Sequence, residues 1–152
     1  MASKLQLLPI AEHLSENKEF VENPALDQTS LLMSVDFYKK VGFLPPWICY
    51  FIKRDNELIG GAAFKGKPIN GKIEIAYGIF PPFMQQGIGT EVCRILVELA
   101  LATDPNVTIT ARTLPEENYS TRLLKKNGFK LLGEIYDEED GDLWEWEYEK
   151  KA

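Results

Sequence analysis

Residues 74–94 read EIAYGIFPPFMQQGIGTEVCR, and this stretch decides the fold. Ile73, Ile75, Tyr77 and Ile79 alternate as one face of a strand. Pro81-Pro82 breaks the strand. Gln85-Gln86-Gly87-Ile88-Gly89-Thr90 then opens directly into a helical pattern. A strand that feeds a Gly-rich turn at a helix N-terminus is a physical device for holding an anion. The first helical N–H groups have no carbonyl partner, and the helix dipole places about half a positive charge there. Glycine at 87 and 89 is expected to remove Cβ atoms that would keep a phosphate away from those N–H groups. The stretch therefore predicts a pyrophosphate cradle.

Working outward, Val92, Ile95, Leu96 and Leu99 recur at helical spacing as one apolar stripe, and Asp104-Pro105 closes that helix. Val107, Ile109 and Ala111 alternate as a strand inside the sheet. Residues 118–126 form a helix with Lys125 and Lys126 in its last turn and Gly128 beyond. Residues 129–136 form a strand and 137–142 an acidic turn. The last strand carries Trp144, Trp146 and Tyr148 on one face and Glu145, Glu147 and Glu149 on the other.

On the N-terminal side, 4–10 is a strand and 11–22 a helix ended by Asn23-Pro24. Thr29 or Ser30 caps a second helix carrying Leu31, Val35 and Tyr38. Residues 47–53 and 57–64 form a hairpin around Arg54-Asp55-Asn56, and 72–80 is the strand of the opening stretch. The order β-α-α-β-β-β-α-β-α-β-β puts one mixed sheet between helices, in an α/β (α+β) fold.

The chain has 152 residues, 45% of them apolar and 26% charged, with a net charge of −6. That length predicts one domain over 1–152, burying roughly two-thirds of its unfolded surface. The acidic balance argues against a nucleic-acid partner and suits a cationic acceptor. No apolar run approaches the ~20 residues needed to span a bilayer, so no membrane contact is expected and a cytoplasmic location is the default. Cys49 and Cys93 fall in apolar surroundings and read as buried free thiols. His13 is the lone histidine, which argues against a histidine metal site or triad; no metal is expected.

Two familiar anion motifs fail. No Lys follows Gly89, as a P-loop requires, and Val92 stands where a dinucleotide fingerprint needs its third glycine. What remains is Gly-x-Gly after an antiparallel strand, with a second segment at 115–129.

There the chain resembles the GNAT superfamily of acetyl-CoA-dependent N-acetyltransferases. Residues 77–91 look like the family's phosphate loop. Residues 115–129, PEENYSTRLLKKNGF, look like the helix and Gly-Phe turn of the branch that acetylates ribosomal-protein N-termini (the alanine acetyltransferase-like branch). The resemblance implies a three-layer fold, with a mostly antiparallel twisted sheet of about seven strands flanked by about four helices. It implies acetyl-CoA as co-substrate, held by backbone N–H groups of Gln85, Gln86, Gly87, Ile88, Gly89 and Thr90. Ile79 and Phe80, at the end of the strand, would pair with the pantetheine arm, and one N–H there would polarise the thioester carbonyl. Asn118 and Ser120 would contact the arm from the other side.

Three positions depart from the family pattern. Met84 stands where Gln or Arg is usual. Glu117 stands where Asn is usual, with Asn118 one position on. Leu124 replaces a Tyr that donates the proton to the leaving thiolate in many relatives.

An attacking amine must be neutral. Deprotonating an α-amino group at pH 7 costs about 1 kcal/mol and a lysine amine about 4.6 kcal/mol. An N-terminal acceptor therefore makes weak demands on a base. Glu74 is the candidate base, with Ser120 as proton relay to the thiolate or as a coenzyme contact. Tyr77 and Tyr119 are alternative acids. Arg112, Lys125 and Lys126 are candidate phosphate partners. The expected acceptor is the α-amino group of a protein or peptide. The alternatives are a small amine such as an aminoglycoside or polyamine, or an acyl-CoA-binding protein without catalysis. A monomer or homodimer fits either enzyme.

Overall fold

The computed structural model describes residues 4–150. The elements are β1 (Leu5–Pro9), α1 (Lys18–Val21), α2 (Gln28–Val41), β2 (Cys49–Arg54), β3 (Glu57–Phe64), β4 (Lys72–Ile79), α3 (Ile88–Thr103), β5 (Thr108–Thr113), α4 (Tyr119–Lys126), β6 (Phe129–Asp137) and β7 (Gly141–Tyr148). They form one seven-stranded mixed sheet in the order β1-β2-β3-β4-β5-β7-β6. Among the described residues only β4 and β5 pair in parallel.

Helices cover both faces. Phe51, Gly61 and Gly78 lie opposite one another across β2, β3 and β4 and so share a face. On that face Phe51 meets Phe20 of α1, ring centroids 4.9 Å apart. Tyr77 alternates to the other face, where its hydroxyl and the Cys93 thiol of α3 hydrogen-bond. The α1–α2 layer therefore covers one face and α3–α4 the other, with Phe51, Phe64, Ile73, Ile75, Leu96 and Trp146 fully buried between.

Three local expectations change. Residues 11–22 are not one helix: a 3-10 turn, Leu14–Glu16, precedes the single turn of α1. Asn17 interrupts them. It is 2% exposed, and its side chain accepts from Ala11 N–H and donates to the Ala11 and His13 carbonyls, so the backbone folds around it. The cap of α2 is Asp27, whose carboxylate accepts from Thr29 N–H at 2.9 Å, rather than Thr29 or Ser30. In α3 the buried stripe is Val92, Cys93, Leu96, Val97 and Ala100, with Ile95 and Leu99 half-buried. The stripe is rotated because α3 is wedged between the sheet and α4. Cys49 and Cys93 are buried and unpaired, as expected. No helix among the described residues is long and apolar enough to cross a membrane.

Candidate active site

The site begins where β4 leaves β5. The two strands pair only from Lys72↔Thr108 to Glu74↔Thr110. Beyond Glu74 they splay into a fork, and β5 pairs only with β7. Phe80 N–H donates to the Ile59 carbonyl at 2.9 Å, and Lys65 N–H donates to the Glu74 carbonyl at 2.9 Å. Alternate residues of an antiparallel strand bond to the same neighbour. Even-numbered residues of β4 thus face β3, and the N–H groups of Tyr77 and Ile79 face the fork. Of the two residues expected at the strand end, Ile79 offers a free donor, whereas the N–H of Phe80 is taken.

On the α3–α4 side, a cavity of about 280 Å³ joins this strand end to the glycine loop. Gly78, Ile79, Gln85, Ile88, Gly89 and Ser120 are among its walls. Gly87 caps α3 at φ +76°, and Gln85 lies at φ +64°. These two left-handed residues bend the chain so that the first N–H groups of α3 are presented to the cavity end. Gln86, Gly87, Thr90 and Phe80 do not line this cavity. The two glycines have different reasons to be there. A Cβ on Gly87 meets nothing within 4 Å, so Gly87 answers to its φ. A Cβ on Gly89 would sit 2.8 Å from Leu123 Cδ1, so Gly89 also gives α3 room against α4.

On the α1–α2 side, a groove of about 380 Å³ has a floor of small residues, Gly61, Ala63, Ala76 and Gly78, and a wall of Ser30 and Ser34. It meets the first cavity at Tyr77, Gly78 and Ile79. A third cavity of about 430 Å³ adjoins it at Ala76 and Tyr77 and holds Glu74, Arg112, Asp137 and Asp140. Ser120 borders both this cavity and the one beside the glycine loop. Three spaces therefore converge on Tyr77.

Arg112 organises the polar cavity. Its guanidinium lies 3.5 Å from Glu74, 3.4 Å from Asp137 and 3.9 Å from Glu145. Burial raises the Glu74 carboxyl above its usual range; Lys65 and Arg112 pull it back, while Glu145 and Asp137 push it further up. Asp137 is held low by N–H bonds from Glu139 and Asp140. Arg112 is thus committed to carboxylates rather than to a phosphate. Lys125 is likewise paired, 3.1 Å from Glu117.

The remaining candidates divide clearly. Asn118 is the cap of α4: its side chain accepts from Thr121 N–H at 3.1 Å, and the Thr121 hydroxyl accepts from Asn118 N–H at 2.9 Å. Ser120 is not the cap, and its hydroxyl takes no partner among the described residues. Tyr77 is a poor acid, because burial pushes its pKa well up and its hydroxyl is engaged with Cys93, itself pushed up to about 12. Tyr119 lies 3.9 Å from the Cβ position of Gly89, over the start of α3. Leu124 is buried and has no proton to give. Sequence reasoning missed Lys65 and the pairing of Arg112 with Glu74. No signal within one segment reports them, since Lys65 lies just past β3 while Glu74 and Arg112 sit on β4 and β5.

Comparison with known proteins gives the same architecture. A curated relative, the uncharacterized N-acetyltransferase YjdG of Bacillus subtilis (strain 168), is 36% identical over 87 residues, 56% of this chain and 51% of that protein. The match spans about half of that relative's length. The ribosomal L7/L12 α-N-protein acetyltransferase RimL, solved with coenzyme A, superposes with a TM-score of 0.67 at 18% identity, over 96% of this chain and 94% of that one. The aminoglycoside acetyltransferase AAC(6')-Ib with coenzyme A gives 0.66 at 20% identity, over 97% and 95%. At those identities the likeness is one of fold. The model of the acetyltransferase (GNAT) domain matches residues 10–130, and the chain belongs to that family.

Proposed function

We propose that this chain, as one domain over 1–152, transfers the acetyl group of acetyl-CoA to a primary amine, specifically the α-amino group of a protein or peptide. The observation that carries the reading is the meeting of two spaces at Tyr77–Ile79. One opens to the glycine loop on the α3–α4 side, and the other crosses the small-residue floor on the α1–α2 side. Donor and acceptor would thus approach opposite sides of β4. The groove and the polar cavity run together at Ala76 and Tyr77, which suits an extended chain better than a closed pocket would.

Acetyl-CoA supplies an activated acyl carbon. In this reading, backbone N–H groups of residues 85–90 hold the pyrophosphate. The N–H of Ile79 faces the thioester oxygen, a contact typically contributing about 3–4 kcal/mol to acyl transfer. As the acceptor nitrogen bonds to the carbonyl carbon and the C–S bond breaks, Ser120 takes a proton from water in the polar cavity it borders and hands its own to the departing sulfur. The proton lost by the amine goes to Glu74. Five residues of strand separate Glu74 from Ile79, about 16 Å, so Glu74 acts through ordered water. Burial raises its pKa above the ordinary carboxylate value, which makes it a stronger base than an exposed glutamate. The low demand of an α-amino group agrees with a remote base.

The experiment is release of the coenzyme A thiol from acetyl-CoA with N-terminal peptides, polyamines and aminoglycosides as acceptors. No turnover above background with any of them overturns the reading. A second reading, a small polycationic amine, is favoured by the carboxylates of Glu74, Asp137 and Asp140 around the polar cavity. Turnover of polyamines or aminoglycosides but not peptides would select it. Tight coenzyme binding without transfer would select a non-catalytic acyl-CoA-binding protein, consistent with Leu124 in place of the usual acid.

A further inference from the structure

The β2–β3 hairpin overshoots the end of β4. Gly60 pairs with Ile79, the last residue of β4, so residues 57–59 run on past it. Three residues of strand reach about 10 Å. Arg54 closes β2 opposite Glu57 and so arrives beside the turn at Pro81–Phe83 and the glycine loop. Its Nη1 donates to Gln86 Oε1 at 3.1 Å. Its guanidinium carbon stands 5.8 Å from the centroid of the Phe83 ring. Neither contact neutralises its charge.

These contacts fall on the two sides of the loop that matter. Gln86 is flanked by left-handed Gln85 and Gly87, at φ +64° and +76°. Gln85 and Phe83 line the cavity by the loop, whereas the Gln86 side chain is held by Arg54. Residues 84–90, MQQGIGT, contain no basic residue, and position 84, where the family pattern has Gln or Arg, is an exposed Met.

We infer that Arg54 is a coenzyme-positioning residue. It braces the glycine loop through Gln86 and Phe83, and it sets a positive charge beside the cradle that the loop itself lacks. The inference rests on coenzyme A as the donor. In a chain of net charge −6, a local cation offsets the repulsion that a polyanionic coenzyme meets on approach.

The test is titration calorimetry of coenzyme A with the full chain, at two salt concentrations, alongside thermal melts. Wild type is compared with R54A, R54M, R54K and the double variant R54A/M84R. R54A and R54M should weaken binding about tenfold, the effect of one charge-assisted contact. R54K should fall between, because lysine keeps the charge but not the planar fork. M84R should restore affinity in the R54A background, and the salt dependence of Kd should be shallower in R54M than in wild type. A merely structural arginine predicts neither of the last two effects. Wild type that fails to bind coenzyme A overturns the donor reading itself. Wild type that binds, with R54M and R54K equal to it, overturns the role of Arg54 alone. R54K as weak as R54M, with an unchanged salt dependence, also overturns it. If R54A unfolds, R54M and R54K decide the matter, since both keep an aliphatic stem against Phe83.

Discussion

Arg112 Nε lies 3.5 Å from Glu74 Oε1, and the same guanidinium is shared with Asp137 and Glu145. Glu74 is raised from 4.5 mainly by burial, and Arg112 is one of two cations that limit the rise. Between 4.5 and its folded pKa, the native state holds more protons at Glu74 than the unfolded state does. Stability from this group is therefore present below 4.5 and lost as pH rises through that window. Replacing Arg112 by Met removes a favourable charge, so Glu74 rises further. The part of the acid limb of log(kcat/KM) that Glu74 adds to the acceptor amine's own titration should move to higher pH in R112M and be lost in E74Q, leaving the amine's limb alone. An acid limb that stays put in both variants removes Glu74 from the chemistry.

Gly89 and Leu123 hold α3 against α4. G89A places a methyl 2.8 Å from Leu123 Cδ1 and should destabilise by about 1–3 kcal/mol through overpacking. In an L123V background the same change should cost less, because the clashing carbon is gone. Urea unfolding of the double-mutant cycle measures this, and additive effects would show that the contact is not what excludes a side chain at position 89.

Gly87 should respond differently. Its Cβ position is open but its φ is +76°, so G87A costs about 1–2 kcal/mol in backbone conformation. Because that strain falls on the loop, coenzyme A affinity should drop as well. Calorimetry showing wild-type affinity in G87A would rule the loop out as the cradle.

Ser120 has a free hydroxyl beside the fork, at the border of two cavities. S120A should lower kcat about a hundredfold if the hydroxyl relays a proton to sulfur, with little change in coenzyme A affinity. Steady-state kinetics at saturating acetyl-CoA separates the two. A normal kcat with weakened binding would make Ser120 a coenzyme contact only.

Tyr38 ties α2 to the ends of β1 and β2. Its hydroxyl donates to the Ile10 carbonyl at 2.8 Å and accepts from Cys49 N–H at 2.9 Å. Y38F leaves both backbone groups buried without a partner and should cost about 1–3 kcal/mol. For a chain of this size that is about 2–4 °C of Tm per kcal/mol. A melt unchanged by Y38F would mean that relaxation or water satisfies both groups.

Much of the fold is legible because its signals are local. The alternation Ile73, Ile75, Tyr77, Ile79 marks β4, and Gln85–Thr90 marks the start of α3, each within one turn or one strand. Where local reading slipped, a longer-range bond intervened. Residues 11–22 carry a helical pattern, but the buried Asn17 amide draws Ala11 and His13 around itself. Asn118 reads as a coenzyme contact by its place in the motif, and its side-chain oxygen has a second task, capping α4, that the motif does not announce.

The sequence by itself determined the family, the glycine loop, the strand that feeds it and the residues available for chemistry. Those features are properties of short windows, set by side-chain periodicity and turn preferences. Only the tertiary structure decided which of those residues meet. Strand register places Arg112 on Glu74 rather than on a phosphate. The overshoot of the β2–β3 hairpin brings Arg54 to Gln86, and close packing of α3 on α4 explains Gly89. Each of these joins segments tens of residues apart, and no window of sequence records the register that aligns them.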